Sequence, residues 1–258
     1  MTGPPDYRKY IVKPEPGGRA STLLKGLSGS GKTYQYRTLH EAGMKILLAD
    51  VENKPKVIED LKPDIWLIRA YDFPVSAEEK GVMLSSTGKG SDLMRMFDFL
   101  RTPDHGYDAI YFDSLMRYAN KLRWHLQYVN RLSGWDIWSG FKEKMEAMLE
   151  VMCSLASPTQ PAPLHVIGTW GVEPDTTGAL TPIVDGRAVG PRIDYWWDNI
   201  LFLTKREIPA ENKIEYLAYT QGTEKFTAKL SNPLGIPIPA LLADPNLAKL
   251  LEKLNPKT

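Results

Sequence analysis

The sequence has one cysteine, no long apolar run and almost no net charge, and each of these absences excludes a class of protein. Cys153 has no partner for an internal disulfide bond, which is typical of proteins from a reducing compartment. No stretch approaches the roughly 18 apolar residues of a membrane-spanning helix. Residues 1–18 lack the apolar centre of a secretory signal. We therefore expect a soluble, cytoplasmic protein that does not enter a membrane.

Charge and metal-binding residues indicate no partner by themselves. The 32 Lys and Arg residues and 31 Asp and Glu residues leave a formal net charge of +1. That value excludes a strongly basic domain but not a local basic groove. The four histidines are scattered, no Cys/His spacing indicates a zinc site, and no G-x-S-x-G nucleophile motif is present.

Apolar runs alternate with helical patterns along most of the chain. We interpret the Pro- and Gly-rich residues 1–19 as an N-terminal arm and residues 20–258 as one domain. Strands followed by helices imply βαβ units, so we expect an α/β fold with a mostly parallel sheet flanked by helices. The last two strands are expected to be antiparallel, and a hairpin turn is expected at Asp185–Gly186. Strands are predicted at 21–25, 45–50, 64–69, 107–113, 164–170, 199–205 and 213–219, and helices at 32–42, 91–100, 114–156 with a break near 133–134, and 247–254.

The stretch GLSGSGKT, from Gly26 to Thr33, matches G-x-x-x-x-G-K-[ST], the Walker A motif. A glycine-rich loop between a strand and a helix can wrap its backbone N–H groups around a phosphate chain. In this interpretation Lys32 reaches the β and γ phosphates and the Thr33 hydroxyl binds Mg²⁺. The alternative is a flexible Ser/Gly turn that matches by chance. The predicted nucleotide-binding residues are Gly26, Ser28, Gly29, Ser30, Gly31, Lys32, Thr33 and Tyr34.

Two acidic positions complete the predicted site for ATP and Mg²⁺. Asp113 ends the apolar run AIYFD, where a carboxylate would hold Mg²⁺ through water, with Ser114 as an accessory group. The alternative for Asp113 is an ordinary helix N-cap. Glu52, just past the strand KILLAD, is predicted to activate the attacking water, a role that Asp50 could share. The alternative for this pair is two solvated loop acids.

Together, GLSGSGKT, LLADVE and AIYFDS resemble the RecA-like ATPase core. The layout is also similar to compact phage-encoded RecA-like ATPases associated with single-strand annealing and recombination. The stretches WDIWSGFKEKMEAML, GPRID and LGIPIPALLADPNLAKLL support this likeness, which covers most of residues 20–250. The resemblance implies a RecA-like P-loop NTPase core with late antiparallel strands, Lys32, Glu52 and Asp113 as catalytic residues, and Thr33 and Asp113 as metal ligands.

The resemblance also implies partners. It implies an Mg²⁺-dependent ATPase that acts on DNA in phage recombination or replication, inside an infected bacterial cell. Single-stranded DNA is the expected form, with double-stranded DNA left open, and the chain is expected to form homo-oligomers and to meet other phage recombination or replication proteins. One departure is GTWG where RecA has a glutamine that senses the γ-phosphate; Thr169 is a substitute. Lys225 and Lys229 are candidates for a basic residue that acts on a neighbouring subunit's site.

Aromatic and basic clusters have two interpretations each. The residues Trp135, Trp138, Phe141, Met145, Met148 and Met152 recur at helical spacing, which favours a face packed on the sheet over base stacking. Tyr195–Trp197 with Arg187 and Arg192 form either a stacking platform on a loop or an anchor for that loop. The basic residues Arg117, Lys121, Arg123 and Arg131 could follow a phosphate backbone or form a solvated helix face.

Two other functions fit the same motif. In a P-loop kinase, Asp50 and Glu52 would bind a nucleotide or metabolite acceptor, and residues 73–90 would form a lid, although this segment contains no arginine. In a binding protein, ATP would serve as an assembly switch with slow turnover. Stimulation of ATP hydrolysis by DNA would separate the first function from both.

Overall fold

The computed structural model describes residues 18–51, 56–76, 78–80, 91–184 and 189–256. The strands are β1 (Ser21–Gly26), β2 (Ile46–Asp50), β3 (Asp64–Leu67), β4 (Ala109–Asp113), β5 (His165–Pro174), β6 (Leu180–Pro182), β7 (Asn199–Ile208), β8 (Lys213–Tyr219) and β9 (Leu241–Ala243). The α-helices are α1 (Tyr34–Glu41), α2 (Asp92–Leu100), α3 (Leu115–Trp124), α4 (Trp135–Ser154) and α5 (Leu247–Leu254). Short 3-10 segments span Lys56–Leu61, Gly190–Trp196 and Pro209–Glu211, and a π-helical turn spans His125–Val129.

The described strands form one sheet in the order β3-β2-β4-β5-β1-β7-β8-β9, with β6 paired to β5. The strands from β3 to β7 in this order run parallel, and β8 and β9 are antiparallel to their neighbours. The predicted α/β class, with a mostly parallel sheet, flanking helices and late antiparallel strands, is therefore confirmed. Because β5 lies between β1 and β4, the carboxyl ends of all three strands meet at one edge, where ligands bind in open α/β sheets.

Alternate residues of the strands supply two cores. On one face, residues such as Leu23 and Phe112 pack against α2, α3 and α4. On the other face, residues such as Leu24 and Tyr111 pack against α1 and α5. This alternation is the two-residue period of a strand with both faces covered.

The aromatic and methionine residues that recur along α4 pack into the core as predicted, except at the first residue of the helix. Phe141, Met145, Met148 and Met152 are buried in the core, and Trp138 packs partly against it. Trp135 is 84% exposed. It is the first residue of the helix, after Gly134 at φ 55°, and it lies outside the packed face. The prediction for Trp135 as part of that face is therefore wrong.

The end of β5 differs from its prediction, and two other predictions fall wholly or partly outside the described residues. β5 continues to Pro174 because its end pairs with β6, and the hairpin turns at residues 175–179, where Thr177 N and Ala179 N both donate to Asp175 Oδ1. The predicted turn at Asp185–Gly186 lies outside the described residues. Of the predicted arm 1–19, the structure describes the last two residues, and Arg19 forms an ion pair with Asp108 at 3.1 Å.

No helix among the described residues combines the length and the apolar character that crossing a membrane requires.

Candidate functional site

The glycine-rich loop leaves the carboxyl end of β1 and leads into α1. At Gly26, a Cβ would collide with the backbone oxygen of Leu203 on β7, so that only glycine fits there. Gly31 has a φ of 89°, in the left-handed region, and a Cβ there would lie 3.3 Å from the Tyr216 ring. The loop conformation thus depends on its glycines, in agreement with the Walker A interpretation.

The Lys32 ammonium lies inside this loop. Its Nζ donates hydrogen bonds to the backbone oxygens of Gly26 (2.7 Å) and Leu27 (2.8 Å). Burial lowers the pKa of Lys32 to about 8, an effect that the Asp113 carboxylate opposes. The charge is held by neutral carbonyl groups at the centre of the loop, where an anionic phosphate would be a stronger partner.

The Asp113 carboxylate connects the glycine-rich loop to β5, the strand that lies between β1 and β4. Thr33 Oγ1 donates to Asp113 Oδ2 at 2.8 Å, and Thr169 Oγ1 donates to Asp113 Oδ1 at 2.6 Å. Thr169 is fully buried. The structure therefore brings together Thr33 and Asp113, the two predicted metal ligands, and places the proposed sensor Thr169 against the same carboxylate. Ser114, the predicted accessory residue, caps α3 by accepting a hydrogen bond from Arg117 N.

Tyr111 provides a contact that the sequence did not suggest. It lies on β4 two residues before Asp113, and its hydroxyl donates to the Lys32 backbone oxygen at 2.5 Å. Complete burial raises the pKa of Tyr111 well above its ordinary value, so the hydroxyl remains a donor at physiological pH. The i, i+2 spacing from Asp113 is the one signal that could have indicated that both side chains face the loop.

A cleft of about 1020 Å³ opens above these residues. Of the predicted nucleotide-binding set, Ser28, Gly29, Gly31, Lys32, Thr33 and Tyr34 line the cleft. Ser30 is buried within the loop, and Gly26 ends β1. The cleft is large enough for a nucleotide, whose sites in proteins are typically about 300–1,000 Å³.

The opposite wall of the cleft comes from the last part of the chain. Tyr216 on β8 and the residues Asp244, Pro245 and Asn246 line it. Gln35 on α1 holds this wall: its Nε2 donates to the Pro245 oxygen at 3.0 Å, and its Oε1 accepts from Leu247 N at 3.0 Å. No sequence motif indicates these wall residues, because they lie about 200 positions from the loop that they face.

Of the two predicted acids after β2, the structure describes one. Asp50 ends β2 beside Asp113, is buried, and lines the cleft. Glu52 lies outside the described residues. The preceding residue, Val51, accepts a hydrogen bond from Lys121 Nζ at 2.8 Å. Lys121 therefore points inward, rather than towards a phosphate backbone as one interpretation of the basic cluster had it.

The oxygen donors of the site suit Mg²⁺. The described residues contain no group of three or more His, Cys, Asp or Glu that could hold a metal ion by themselves. Mg²⁺ commonly takes only one or two protein ligands and completes its shell with phosphate oxygens and water. A threonine hydroxyl beside a carboxylate, next to the glycine-rich loop, fits that requirement.

A second cluster lies on the other face of β1. Lys25, the residue before Gly26, is 1% exposed. Its Nζ donates to both carboxylate oxygens of Asp194, at 3.0 and 3.1 Å, and to Thr227 Oγ1 at 2.5 Å. Burial lowers the pKa of Lys25, and the Asp194 carboxylate opposes the shift. Thr227 in turn donates to Asp194, so that the cluster joins β1 to two later segments.

Thr227 lies between Lys225 and Lys229 in the sequence. These two lysines are the candidates for a basic residue that acts on a neighbouring subunit's site. The side chains of Lys225 and Lys229 are both exposed. The backbone of Lys229 pairs with Ile200 on β7, at 2.7 and 3.0 Å, and the Lys225 oxygen accepts from Leu180 N at 2.6 Å. Backbone pairing thus holds both lysines in place with their side chains on the surface, and their role in another subunit's site stays a prediction.

The predicted stacking platform at residues 195–197 is largely inside the protein. Trp197 is 2% exposed and anchors the segment in the core, whereas Tyr195 is 82% exposed. Arg192 forms an ion pair with Glu146 on α4 at 3.4 Å, and Arg187 lies outside the described residues. At Trp197, the anchor interpretation is the correct one.

Comparison with known proteins yields similarities to solved structures only. No protein-family model and no curated protein sequence matches the chain. Similar solved structures include the RadB recombinase, with 18% identity over 79% of this chain and 80% of that one and a TM-score of 0.43. The flagellar accessory protein FlaH from Methanocaldococcus jannaschii has 11% identity over 90% and 88%, with a TM-score of 0.41. A KaiC-like protein from Pyrococcus horikoshii OT3 has 13% identity over 78% of each chain, with a TM-score of 0.38.

Proposed function

We propose that this chain is a RecA-like, Mg²⁺-dependent ATPase that acts on DNA. The observation that carries the proposal is the contact between the loop and the carboxylate: Thr33 Oγ1 lies 2.8 Å from Asp113 Oδ2 at the mouth of the cleft. A hydroxyl and a carboxylate in contact beside a phosphate-binding loop are the protein part of an Mg²⁺–nucleotide site. Bound Mg²⁺ would supply charge neutralisation on the β and γ phosphates.

The chain's own residues would perform binding and orientation. The loop N–H groups and the start of α1 would hold the phosphate chain, and Lys32 would exchange its carbonyl partners for phosphate oxygens. Asp113, fixed on both sides by Thr33 and Thr169, would hold the metal side of the site without rearranging. Glu52 is proposed as the general base for water. Phosphoryl transfer depends mainly on such positioning and charge stabilisation.

DNA as the partner, with single-stranded DNA as the expected form, rests on the resemblance of GLSGSGKT, LLADVE and AIYFDS to the RecA-like core. The same resemblance supports a role in phage recombination or replication and assembly of several copies. Such an assembly would give Lys225 or Lys229 a neighbouring site to complete. These parts of the proposal depend on the motifs and not on the geometry of the cleft.

The test is phosphate release from ATP with Mg²⁺, with and without single-stranded DNA, and with Lys32→Ala as the control. We expect hydrolysis that DNA stimulates and that Lys32→Ala abolishes. Normal turnover in Lys32→Ala would refute the site. Hydrolysis that is indifferent to DNA would refute the DNA part alone. For Glu52→Gln we expect retained ATP binding and poor hydrolysis; unchanged turnover would move the base to Asp50 or elsewhere.

The kinase alternative keeps one supporting observation, because Asp50 lines the cleft where an acceptor could bind. The start of its proposed lid, however, is fastened to the core. Lys144 on α4 contacts Asp72 Oδ1 at 3.0 Å and the Phe73 oxygen at 2.9 Å. Residues 81–90 of that segment lie outside the described residues. A kinase would release little phosphate without an acceptor, so the same assay separates the two functions.

A further inference from the structure

The turn between α3 and α4 exposes an unusual amount of aromatic surface. Trp135 is 84% exposed, Tyr128 is 60% exposed and Trp124 is 55% exposed. Side chains of this size usually contribute to a core or to an interface, because their burial stabilises a protein by several kcal/mol. We call residues 124–135 the aromatic turn. Neither the phosphate-binding loop nor the Asp113 site uses it.

The aromatic turn has a defined shape. The rings of Trp124 and Tyr128 lie 5.3 Å apart, centroid to centroid, at an angle of 41°. Leu132 N donates to the Leu126 oxygen at 3.0 Å, and Leu132 Cδ1 lies 3.5 Å from the position of a Cβ on Gly140. Leu132 therefore fastens the turn to α4, whose first residue is Trp135. The exposed rings are carried by a packed scaffold.

The charge of the aromatic turn suits an anionic partner. The sequence has no acidic residue between Asp113 and Asp136, whereas His125 and Arg131 fall within the turn and Arg123 immediately precedes it. Arg131 is exposed and has a φ of 56°, a backbone conformation that costs free energy in a residue other than glycine. A basic, acid-free segment is complementary to a phosphate backbone.

The exposed groups of the turn combine aromatic surface with hydrogen-bonding side chains, a mixture that suits nucleic-acid bases. Gln127, Asn130 and Ser133 come between the aromatic residues in the sequence, and Val129 is 54% exposed beside them. Successive bases of a single strand stack on individual aromatic side chains, and nearby basic residues hold the backbone. The other candidate surface, at Tyr195, exposes one fully accessible ring.

We propose that the aromatic turn is a binding surface for single-stranded DNA, on which Trp124, Tyr128 and Trp135 stack against bases and Arg131 contacts a phosphate. The choice of DNA rests on the proposed function. The surface itself is inferred from the exposure and charge of the turn, and it lies outside the segment Tyr195–Trp197, which the sequence suggested as a stacking platform.

The experiment measures binding of fluorescein-labelled oligo(dT) to the full-length chain by fluorescence anisotropy at several salt concentrations. We expect Trp135→Ala to weaken binding by about tenfold to a hundredfold, the effect of one lost stacking contact. Arg131→Gln should weaken binding less and lower the salt slope by about one. Tyr195→Ala is the matched control, since it removes an equally exposed aromatic ring from the other surface, and it should bind within about twofold of the wild type.

ATP hydrolysis without DNA provides the folding control for each variant and should be unchanged, because none of these residues lines the cleft. Wild-type affinity in the triple variant Trp124→Ala, Tyr128→Ala, Trp135→Ala would overturn the proposal. Loss of binding in Tyr195→Ala alone would overturn it in favour of the other surface.

Three further outcomes separate this proposal from a contact between copies and from the proposed ATPase function. If sedimentation showed that Trp135→Ala dissociates an oligomer while oligo(dT) affinity is unchanged, the turn would be a contact between copies, and the proposal would be overturned. If the wild type hydrolysed ATP but bound no oligo(dT), the DNA part of the proposed function would fail together with this surface. A wild type that binds oligo(dT) through the turn without hydrolysing ATP would support the surface and refute the ATPase.

Discussion

Two clusters, each containing lysine, aspartate and threonine, lie near the glycine-rich loop, and they differ in the partners of their charged groups. Lys25, Asp194 and Thr227 bond to one another, so that the ammonium has a carboxylate partner inside the protein. In the second cluster, the Lys32 ammonium bonds to carbonyl oxygens, and the Asp113 carboxylate bonds to two hydroxyl groups.

The difference supports a structural role for the first cluster and, under the proposed function, a ligand-binding role for the second. A buried ion pair with its hydrogen bonds complete gains nothing from a further partner. An ammonium held by carbonyls and a carboxylate held by hydroxyls, both facing a cleft, can gain from phosphate and Mg²⁺. Lysine, aspartate and threonine thus receive different roles in the two clusters, because their hydrogen-bonding partners differ. Four substitutions or measurements test this distinction.

The largest expected effect is on hydrolysis in Asp113→Asn. The substitution keeps the shape of the side chain but removes the charge that would face Mg²⁺, and we expect ATP turnover to fall by about a thousandfold, the effect of losing one preorganised electrostatic contact. The thermal unfolding midpoint should stay within a few degrees of the wild type, since an amide oxygen still accepts a hydrogen bond. Phosphate release and a thermal melt measure the two effects. A stable variant that hydrolyses ATP normally would contradict the assignment of Asp113.

The opposite pattern is expected for Lys25→Met. The methionine fills the space but leaves the Asp194 carboxylate without its cation, which should lower the free energy of unfolding by about 3 kcal/mol. For a chain of this size, the unfolding midpoint should fall by roughly 6–12 °C. Turnover per folded molecule, measured well below that midpoint, should change little.

Lys213→Met is the matched control, because Lys213 is exposed at the start of β8 and its loss should leave the melt unchanged. If Lys25→Met were as stable as the wild type but inactive, the cluster would belong to the functional site, and the contrast between the two clusters would disappear.

A smaller effect is expected for Tyr111→Phe. Loss of the hydroxyl leaves the Lys32 carbonyl without this donor, which should cost about 1 kcal/mol. We expect the KM for ATP to rise about fivefold, with less change in kcat, because Tyr111 positions the loop and does not touch the reacting atoms. Tyr36→Phe removes a weaker, 3.5 Å hydrogen bond to the Ile46 oxygen and serves as the control. Equal KM values in the two variants would show that the 2.5 Å contact does not position the loop.

The smallest expected effect is the uptake of a proton by Lys32 when ATP and Mg²⁺ bind. Lys32 in the free protein has a pKa lowered from 10.5 to about 8, so the folded chain releases this proton at a lower pH than the unfolded chain. The group therefore destabilises the fold below about pH 8, and the free energy of unfolding rises as the pH increases from about 8 towards 10.5. A bound phosphate favours the ammonium form and should return the proton.

Calorimetric titration of ATP and Mg²⁺ in buffers of different ionisation enthalpy should detect proton uptake at about pH 9 and almost none near pH 7. Lys25 should contribute none, because its ammonium remains paired with Asp194 and does not meet the nucleotide. Uptake that persists in Lys32→Met would place the titrating group elsewhere.

Much of the fold could be predicted because its strands and helices are locally encoded. The runs STLLK and KILLAD have the apolar centres LL and ILLA, as expected of strands buried on both faces, and the structure has strands there. The terminal helix 247–254 was also predicted correctly, since its apolar residues recur at helical spacing. The exposure of Trp135 was not predicted, because apolar spacing does not reveal where a helix meets its neighbours. The hairpin at 175–179 was also not predicted.

The sequence by itself determined the glycine-rich loop between β1 and α1, the end of β4 at Asp113 and the α/β class, because each depends on residues close together in the chain. Only the tertiary structure decided the partners of these residues. Thr169 and Asp113 are 56 positions apart, and Lys25 and Thr227 are 202 apart. Such contacts follow from strand order, which places β5 between β1 and β4. Local patterns carry no information about that order, so the contacts of Tyr111 and Lys25, and the contact of the predicted Thr169 with Asp113, came from the fold.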